Sequence, residues 1–253
     1  MPPKTPRKRL DLLLVERGLA ESRQKAQAMI LAGEVEVDAK RADKAGQSVA
    51  EHAHIEVHSR LQKYVGRGGF KLEGALEDFS VAVHGKTCLD VGSSTGGFTD
   101  CLLQQGAARV YAVDVNTDQL AWKLREDTRV STIQKNAREL SPQDLPKPVD
   151  LVVADVSFIS VTKILSGAVA CAKPGADLLI LIKPQFELER KDVGKDGIVH
   201  DPALHEKAIA SVRASAESIG FAGLRVSPSR LPGAEGNQEY FLHARKPAAV
   251  ESL

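Results

Sequence analysis

Val149-Asp-Leu-Val-Val-Ala154 and Asp177-Leu-Leu-Ile-Leu-Ile-Lys183 are almost unbroken apolar runs. They are far too short to cross a bilayer, and strands buried on both faces read this way. Three β-rich runs precede them, Thr87–Val91, Arg109–Val113 and the weaker Val130–Ile133, and Glu239–Ala244 follows. Helix-length gaps separate them. Strands alternating with helices predict a parallel, doubly wound α/β sheet. The 253 residues, 43% hydrophobic and 26% charged, fit a globular protein of one to two domains and exclude a disordered or collagen-like chain. No run approaches a membrane span, and the basic start, Met1 to Leu14, lacks the apolar core of a secretory signal. Cys88, Cys101 and Cys171 form no metal-type cluster and are too few for a disulfide scaffold, so a reducing cytoplasm is expected.

The first 71 residues read differently. Leu10, Leu13, Leu14 and Arg17 follow helical spacing, and Gly18 stands where a left-handed stop belongs. Ser22 is a good N-cap for a second helix, Arg23 to Ala32, which Gly33 ends. Glu34–Asp38 alternates as a strand does, and another strand is expected at His54–Val57. This predicts a small α+β module over 9–58, with a tail at 1–8 and a basic, glycine-containing linker at 59–69. The sheet domain then covers 70–246, with a tail at 247–253. Residues 1–71 carry 14 Lys+Arg against 9 Asp+Glu, net +5, whereas the remainder is net −4. A basic module on an acidic body fits polyanion binding, though a solvated charged face fits equally. Arg9, Arg17, Arg23, Lys25, Arg41 and Lys44 are its candidate contacts.

Leu89-Asp-Val-Gly92-Ser-Ser-Thr-Gly96-Gly97-Phe-Thr follows a strand and opens a helix. Glycines there admit a ligand close to the backbone. The spacing misses the dinucleotide fingerprint, and the Lys-Ser/Thr of a phosphate-binding loop is absent. Asp114 ends the next strand, placed to accept ribose hydroxyls. A glycine turn without phosphate machinery, together with a ribose-binding acid, points to S-adenosylmethionine. A tight turn beside an unrelated acid is the bland alternative.

Lys71, Asp155, Lys183 and Glu239 are far apart in sequence. Lys71 lies on a helix before the sheet, while Asp155 and Lys183 end the fourth and fifth strands. The carboxyl ends of parallel strands meet at the ligand crevice, so Asp155 and Lys183 should be neighbours. The final strand must run antiparallel for Glu239 to join them. Each alone is more often a surface charge. Together, beside a methyl donor, they can deprotonate a ribose hydroxyl. Lysine is a base only when neutral, against a reference pKa of about 10.4. Burial and a neighbouring cation such as Lys71 favour neutrality, Asp155 opposes it while orienting the amine, and Glu239 can hold the hydroxyl or the other lysine. Amino-group methylation is disfavoured because Asp155-Val-Ser-Phe158 lacks prolines, and carbon methylation because no loop cysteine is available.

Pro184–Pro202 reads as a long polar loop in which Arg190, Lys191 and Lys195 can meet phosphates and Phe186 can stack on a base. An ordinary solvent loop is equally compatible. His200 and His205 lack a third ligand, so no metal is expected.

Arg67-Gly-Gly-Phe-Lys-Leu72, Asp90–Asp100, Asp155–Ser160, Lys183-Pro-Gln-Phe-Glu187 and Glu235–Tyr240 together resemble the blocks of the TlyA family of rRNA ribose methyltransferases, some labelled hemolysins. The resemblance spans about Arg9 to Arg245. It implies a Rossmann-like class I methyltransferase sheet of the FtsJ type, preceded by an RNA-binding domain named for ribosomal protein S-four. It also implies cytidine 2′-O-methylation of ribosomal RNA, with rRNA or ribosomal subunits as partner. The Lys-Asp-Lys-Glu tetrad of the similar heat-shock methyltransferases falls on Lys71, Asp155, Lys183 and Glu239. Cofactor contacts are expected from Asp90, Gly92, Ser93, Ser94, Thr95, Gly96, Gly97 and Phe98 of the turn, from Asp114 and Asn136, and from Asp155. Arg67 joins the RNA contacts. Gly66 replaces the usual Ser, Asn116-Thr-Asp118 replaces the usual glycine, and Ser227–Glu235 is altered. The short segment after Glu239 leans towards members acting on the large subunit alone. The rival classes are a membrane-active hemolysin, which needs an amphipathic lytic segment, and a non-catalytic RNA-binding protein, which needs no tetrad.

Overall fold

The computed structural model describes residues 6–20, 22–38, 40–57, 63–221 and 223–247. Contacts divide the chain into two units, Met1–Lys63 and Tyr64–Leu253. In the first, β1 (Arg7–Arg9) leads into α1 (Leu10–Glu16) and α2 (Arg23–Leu31). Then follow β2 (Val35–Val37), β3 (Lys40–Arg41), β4 (Ser48–Ala50) and β5 (Ile55–Val57). β1 pairs antiparallel with β4, and β3-β2-β5 form a second antiparallel sheet. Ser22 caps α2 by accepting the Lys25 N–H, and Gly18 and Gly33 take positive φ at the two helix stops. Leu10, Leu14, Ala26, Ile30 and Val35 are fully buried in one core. The tail expected at 1–8 is partly wrong, because Arg7 and Lys8 belong to β1. Their polar sequence hides a strand that is held by backbone pairing rather than by burial.

The second unit starts with α3 (Gly68–Asp78), β6 (Thr87–Val91), α4 (Gly97–Gln104) and β7 (Arg109–Asp114). It continues with α5 (Trp122–Arg125), β8 (Val130–Gln134), β9 (Val149–Ala154), α6 (Leu165–Ala170) and β10 (Ala172–Ile182). α7 (Pro184–Glu187), α8 (Pro202–Ser218), β11 (Arg225–Pro228) and β12 (Tyr240–Arg245) complete it. The strands form one seven-stranded sheet, ordered β11-β12-β10-β9-β6-β7-β8. The five from β6 to β10 are parallel, and β12 runs antiparallel to β10 and β11. Alternate residues feed two cores. Leu89, Val91, Leu178 and Ile180 pack towards α6 and α8, and Cys88, Leu151, Leu179 and Leu181 towards α3 and α4. This two-sided burial is why the β9 and β10 runs are almost unbroken.

Three expectations change. The segment 59–69 is not all linker, since Tyr64 is buried and α3 begins at Gly68, while 58–62 lies outside the described residues. Pro184–Pro202 is not one loop, because Pro184 starts α7 and Arg190–Asp192 forms a 3-10 turn. The edge strand β11 was not expected. It is short and half exposed, so it leaves no apolar alternation to read.

Candidate active site

The parallel strands end together, and strand register brings the scattered residues to one edge. Ala154 pairs with Val91 and with Ile180, which sets Asp155 beside Gly92 and near the end of β10. Ile182 pairs with Tyr240, so Lys183 and Glu239 are neighbours at the same edge. Gly92 has φ +86, and a Cβ there would stand 2.3 Å from the Asp155 carbonyl oxygen, so only glycine allows this approach. The start of α3 presses on the turn in the same way: a Cβ on Gly97 would lie 3.0 Å from the Gly69 nitrogen.

Two ion pairs occupy this edge. Lys71 Nζ lies 2.5 Å from Glu239 Oε2, and both residues are buried. Lys183 Nζ lies 2.5 Å from Asp155 Oδ1 and donates to Ser157 Oγ at 2.8 Å. The Asp155–Lys183 pair is close but lacks hydrogen-bond alignment, so Asp155 Oδ1 keeps an unused lone pair. Lys71 is therefore no bare cation beside Lys183, because Glu239 offsets its charge. The Gly233–Glu239 turn holds Glu239 firmly. Ser229 N–H donates to the Glu239 carbonyl, Gly233 N–H to that of Asn237, and a Cβ on Gly233 would stand 2.6 Å from Glu239 Oε1.

Two connected cavities open here. One, of about 210 Å³, is lined by Arg67, Ser93, Thr95, Phe98, Asp155 and Lys183 among others. The other, of about 450 Å³, is lined by Ser94, Asp114, Gln119, Lys135, Asn136 and the stretch Asp155–Ile159 among others. Gly92, Ser94, Asp155 and Ser157 belong to both. Asp114 accepts the N–H of Ser94 on Oδ2 and of Asn116 on Oδ1, which fixes its plane. The Asn116 side chain caps the turn Thr117–Gln119 by accepting the Asp118 N–H. Asn136 likewise caps Ala137–Glu139. Ser93 Oγ is buried at the smaller cavity without a partner.

Two expected contacts move to supporting places. Asp90 is fully buried, lines neither cavity, and accepts the Thr99 hydroxyl at 2.6 Å, so it braces the turn from beneath. Burial pushes its carboxyl up to about 7. Gly96 also lines neither cavity. Its φ of +99 makes the bend, and a Cβ would strike Leu124 at 2.3 Å. Phe98 does line the smaller cavity, backed by the Phe241 ring at 6.1 Å.

Other lining residues escaped the sequence reading. Gln119, Lys135, Val156, Ser157 and Phe158 lie in loops without periodicity. Phe158 is 91% exposed at φ +63, a left-handed conformation unusual for a bulky residue. Its ring sits 5.3 Å from Phe186, which occupies that partner side of Phe186. Glu187 buttresses the same loop by accepting the Ser160 hydroxyl (2.6 Å) and the Val161 N–H (2.8 Å), and burial raises its carboxyl's pKa. The Lys183-Pro-Gln-Phe-Glu187 block carried that signal. Among the candidate phosphate contacts nearby, Lys191 pairs with Glu189 at 2.7 Å. His200 bonds Asp196 and His205 bonds the Val199 carbonyl, and no metal-type group exists among the described residues.

In the first unit the candidate RNA contacts divide. Arg9, Arg23 and Gln27 donate to the buried Asp11 carboxylate, which the Arg9 guanidinium holds well below the usual range. Arg17 donates to the Ala53 and Glu51 carbonyls. These arginines therefore hold structure as well as charge. Lys25, Arg41 and Lys44 are exposed, with the Arg41 guanidinium over Gly33. Arg67 belongs to the second unit, at the rim of the smaller cavity.

The FtsJ-like methyltransferase family model matches residues 64–246, and the S4 domain model matches 8–55. A relative from Mycobacterium tuberculosis, the 16S/23S rRNA (cytidine-2′-O)-methyltransferase TlyA, is 47% identical over 94% of this chain and 90% of its own length. The chain belongs to the TlyA family of FtsJ-like methyltransferases. Hemolysin A of Brachyspira hyodysenteriae is a further relative, 43% identical over 93% of this chain and 98% of its own. A solved structure from Streptococcus thermophilus that carries a hemolysin name is 39% identical, with TM-score 0.76, covering 96% of this chain and 90% of its own. A methyltransferase from Mesorhizobium loti, only 15% identical at TM-score 0.54, shares the fold of the sheet. The TlyA-family chain is thus a methyltransferase with an N-terminal S4 domain. No helix among the described residues is long and apolar enough to cross a membrane.

Proposed function

We propose that this chain methylates a ribose 2′-hydroxyl, that of a cytidine in ribosomal RNA, with S-adenosylmethionine as donor. The supporting observation is the meeting of the Lys183–Asp155 and Lys71–Glu239 pairs at the sheet edge that also carries both cavities. The residues suit the donor. Asp114 offers fixed acceptors for the ribose, Asn136 and Gln119 offer polar groups in the larger cavity, and the unpartnered Ser93 Oγ at the smaller cavity offers a partner for its amino acid part. Bound S-adenosylmethionine supplies an electrophilic sulfonium methyl, whose transfer leaves S-adenosylhomocysteine and one proton to remove.

The 2′-hydroxyl proton passes to Lys183 Nζ after that amine has released its own proton to solvent, and Asp155 stabilises the ammonium that re-forms. Ser157 fixes the direction of Nζ. Lys71 and Glu239, buried and locked together, line neither cavity and brace from behind the edge at which the acceptor oxygen is held in line. Arg67, exposed beside the same cavity, meets an RNA phosphate, and the S4 domain supplies the remaining docking charge. A cytoplasmic location follows from a ribosomal substrate.

The test is incubation of ribosomal subunits with labelled S-adenosylmethionine, followed by mapping of the modified nucleotide. A ribose-methylated cytidine is expected. Label on a base, or no label with any subunit, contradicts the reading.

A further inference from the structure

The opposite, amino end of the sheet holds a cavity of about 330 Å³ that methyl transfer does not use. Its walls are the end of α3, the approach to β6, the middle of β10, and β11 and β12. Asp177 stands six residues before Lys183, so strand rise puts the cavity about 20 Å from the catalytic lysine. Three cations line it, Lys86, Arg225 and Arg245, and Asp177 is its one carboxylate.

Hydrogen bonds fix the charges. One Arg225 nitrogen donates to the Phe79 carbonyl at 3.0 Å and to His243 Nδ1 at 3.1 Å. Since Nδ1 accepts, the ring proton sits on Nε2, which faces Asp177 Oδ1 at 3.1 Å. His243 is therefore neutral, and burial, which lowers its pKa, agrees. Lys86 Nζ donates to Asp177 Oδ2 at 3.0 Å, and Arg245 Nε stands 3.4 Å from Oδ1. Asp177 thus offsets one of three cations. The Arg225 guanidinium is held 5.2 Å over the Phe79 ring, while the Arg245 side chain is 70% exposed. Both guanidinium groups keep N–H donors beyond these bonds, and their fork geometry matches an oxyanion with several acceptor oxygens.

We propose that this cavity binds a phosphate group through Arg225, Arg245 and Lys86. On the rRNA reading, which this assignment of source rests on, it is a backbone phosphate of the substrate, gripped about 20 Å from the reacting ribose. A free phosphate offers the same chemistry.

Arg245→Gln tests this in the full-length protein, in two arms. In the first, unfolding temperature is followed against sodium phosphate and against sodium chloride at equal ionic strength. Phosphate should raise it beyond chloride for the wild type, and the variant should lose most of that difference. In the second, affinity for ribosomal RNA is followed against salt. The slope of log affinity on log salt should become shallower by about one in the variant if the source is RNA. A phosphate-specific shift with unchanged slope assigns the site to free phosphate. Identical behaviour of wild type and variant in both arms overturns the proposal. The first arm contains no RNA, so the site and the rRNA reading can fail independently.

Discussion

At the carboxyl end of the seven-stranded sheet two lysines face two acids; at the amino end three cations face one carboxylate. The residue types are nearly the same, and strands β10 and β12 contribute to both groups. At the first end every charge has a partner, so no net charge is left and the lysines are held in place. That fixes the groups in position, and Lys183 must release its own proton before it can take one from a hydroxyl. At the second end charge is left over, which suits holding an anion and moves no proton. The balance of charge within each cluster, more than its residue types, separates chemistry from grip.

The largest expected effect comes from breaking the balanced end. Glu239→Gln leaves Lys71 buried with an uncompensated charge, which costs about 3–5 kcal/mol of stability. Urea unfolding reads this, and Lys71→Met combined with Glu239→Gln should recover much of the loss without recovering methyl transfer. A variant no less stable than wild type would show that the pair carries little strain on separation.

The pH dependence of stability is next. Asp90 binds its proton more tightly folded, up to about 7, than unfolded, at about 3.9. The folded state therefore holds more protons across that window, and this group's contribution to stability falls as pH rises from about 4 to about 7. Asp90→Asn should flatten this part of the profile. An unchanged profile would move the titration elsewhere.

A smaller change is expected at Phe158. Asn tolerates its left-handed backbone better, so Phe158→Asn should raise stability by about 1 kcal/mol while lowering methyl transfer. Unaltered transfer would make the strained loop incidental. The smallest effect belongs to the cation-rich end: Arg245→Gln should change stability by less than about 0.5 kcal/mol, because the side chain is exposed and only one of several at Asp177. A larger loss would make Arg245 a structural partner of Asp177.

The carboxyl end was legible in the sequence because chain direction and strand ends determine it. Once 149–154 and 177–183 read as parallel strands, Asp155 and Lys183 had to meet, and an antiparallel last strand had to bring Glu239 to them. The amino end was not legible. Lys86, Asp177, Arg225, His243 and Arg245 are individually unremarkable, and they gather only through β11, an edge strand with no apolar pattern, and through its register with β12. Loops hid Gln119, Lys135 and Ser157 for a related reason, since no periodicity fixes where such side chains go. Asp90 and Gly96 were expected at the cavities but line neither, because a motif gives order along the chain but not depth.

The central claim is that Lys183 removes the proton while the glycine turn and Asp114 hold the donor. It is tested most directly on Lys183→Ala by calorimetry with S-adenosylmethionine alongside single-turnover transfer to ribosomal RNA. Cofactor affinity should stay within about twofold while transfer falls by at least about 10²–10⁴-fold. Transfer near the wild-type rate, with the cofactor bound as before, would contradict it.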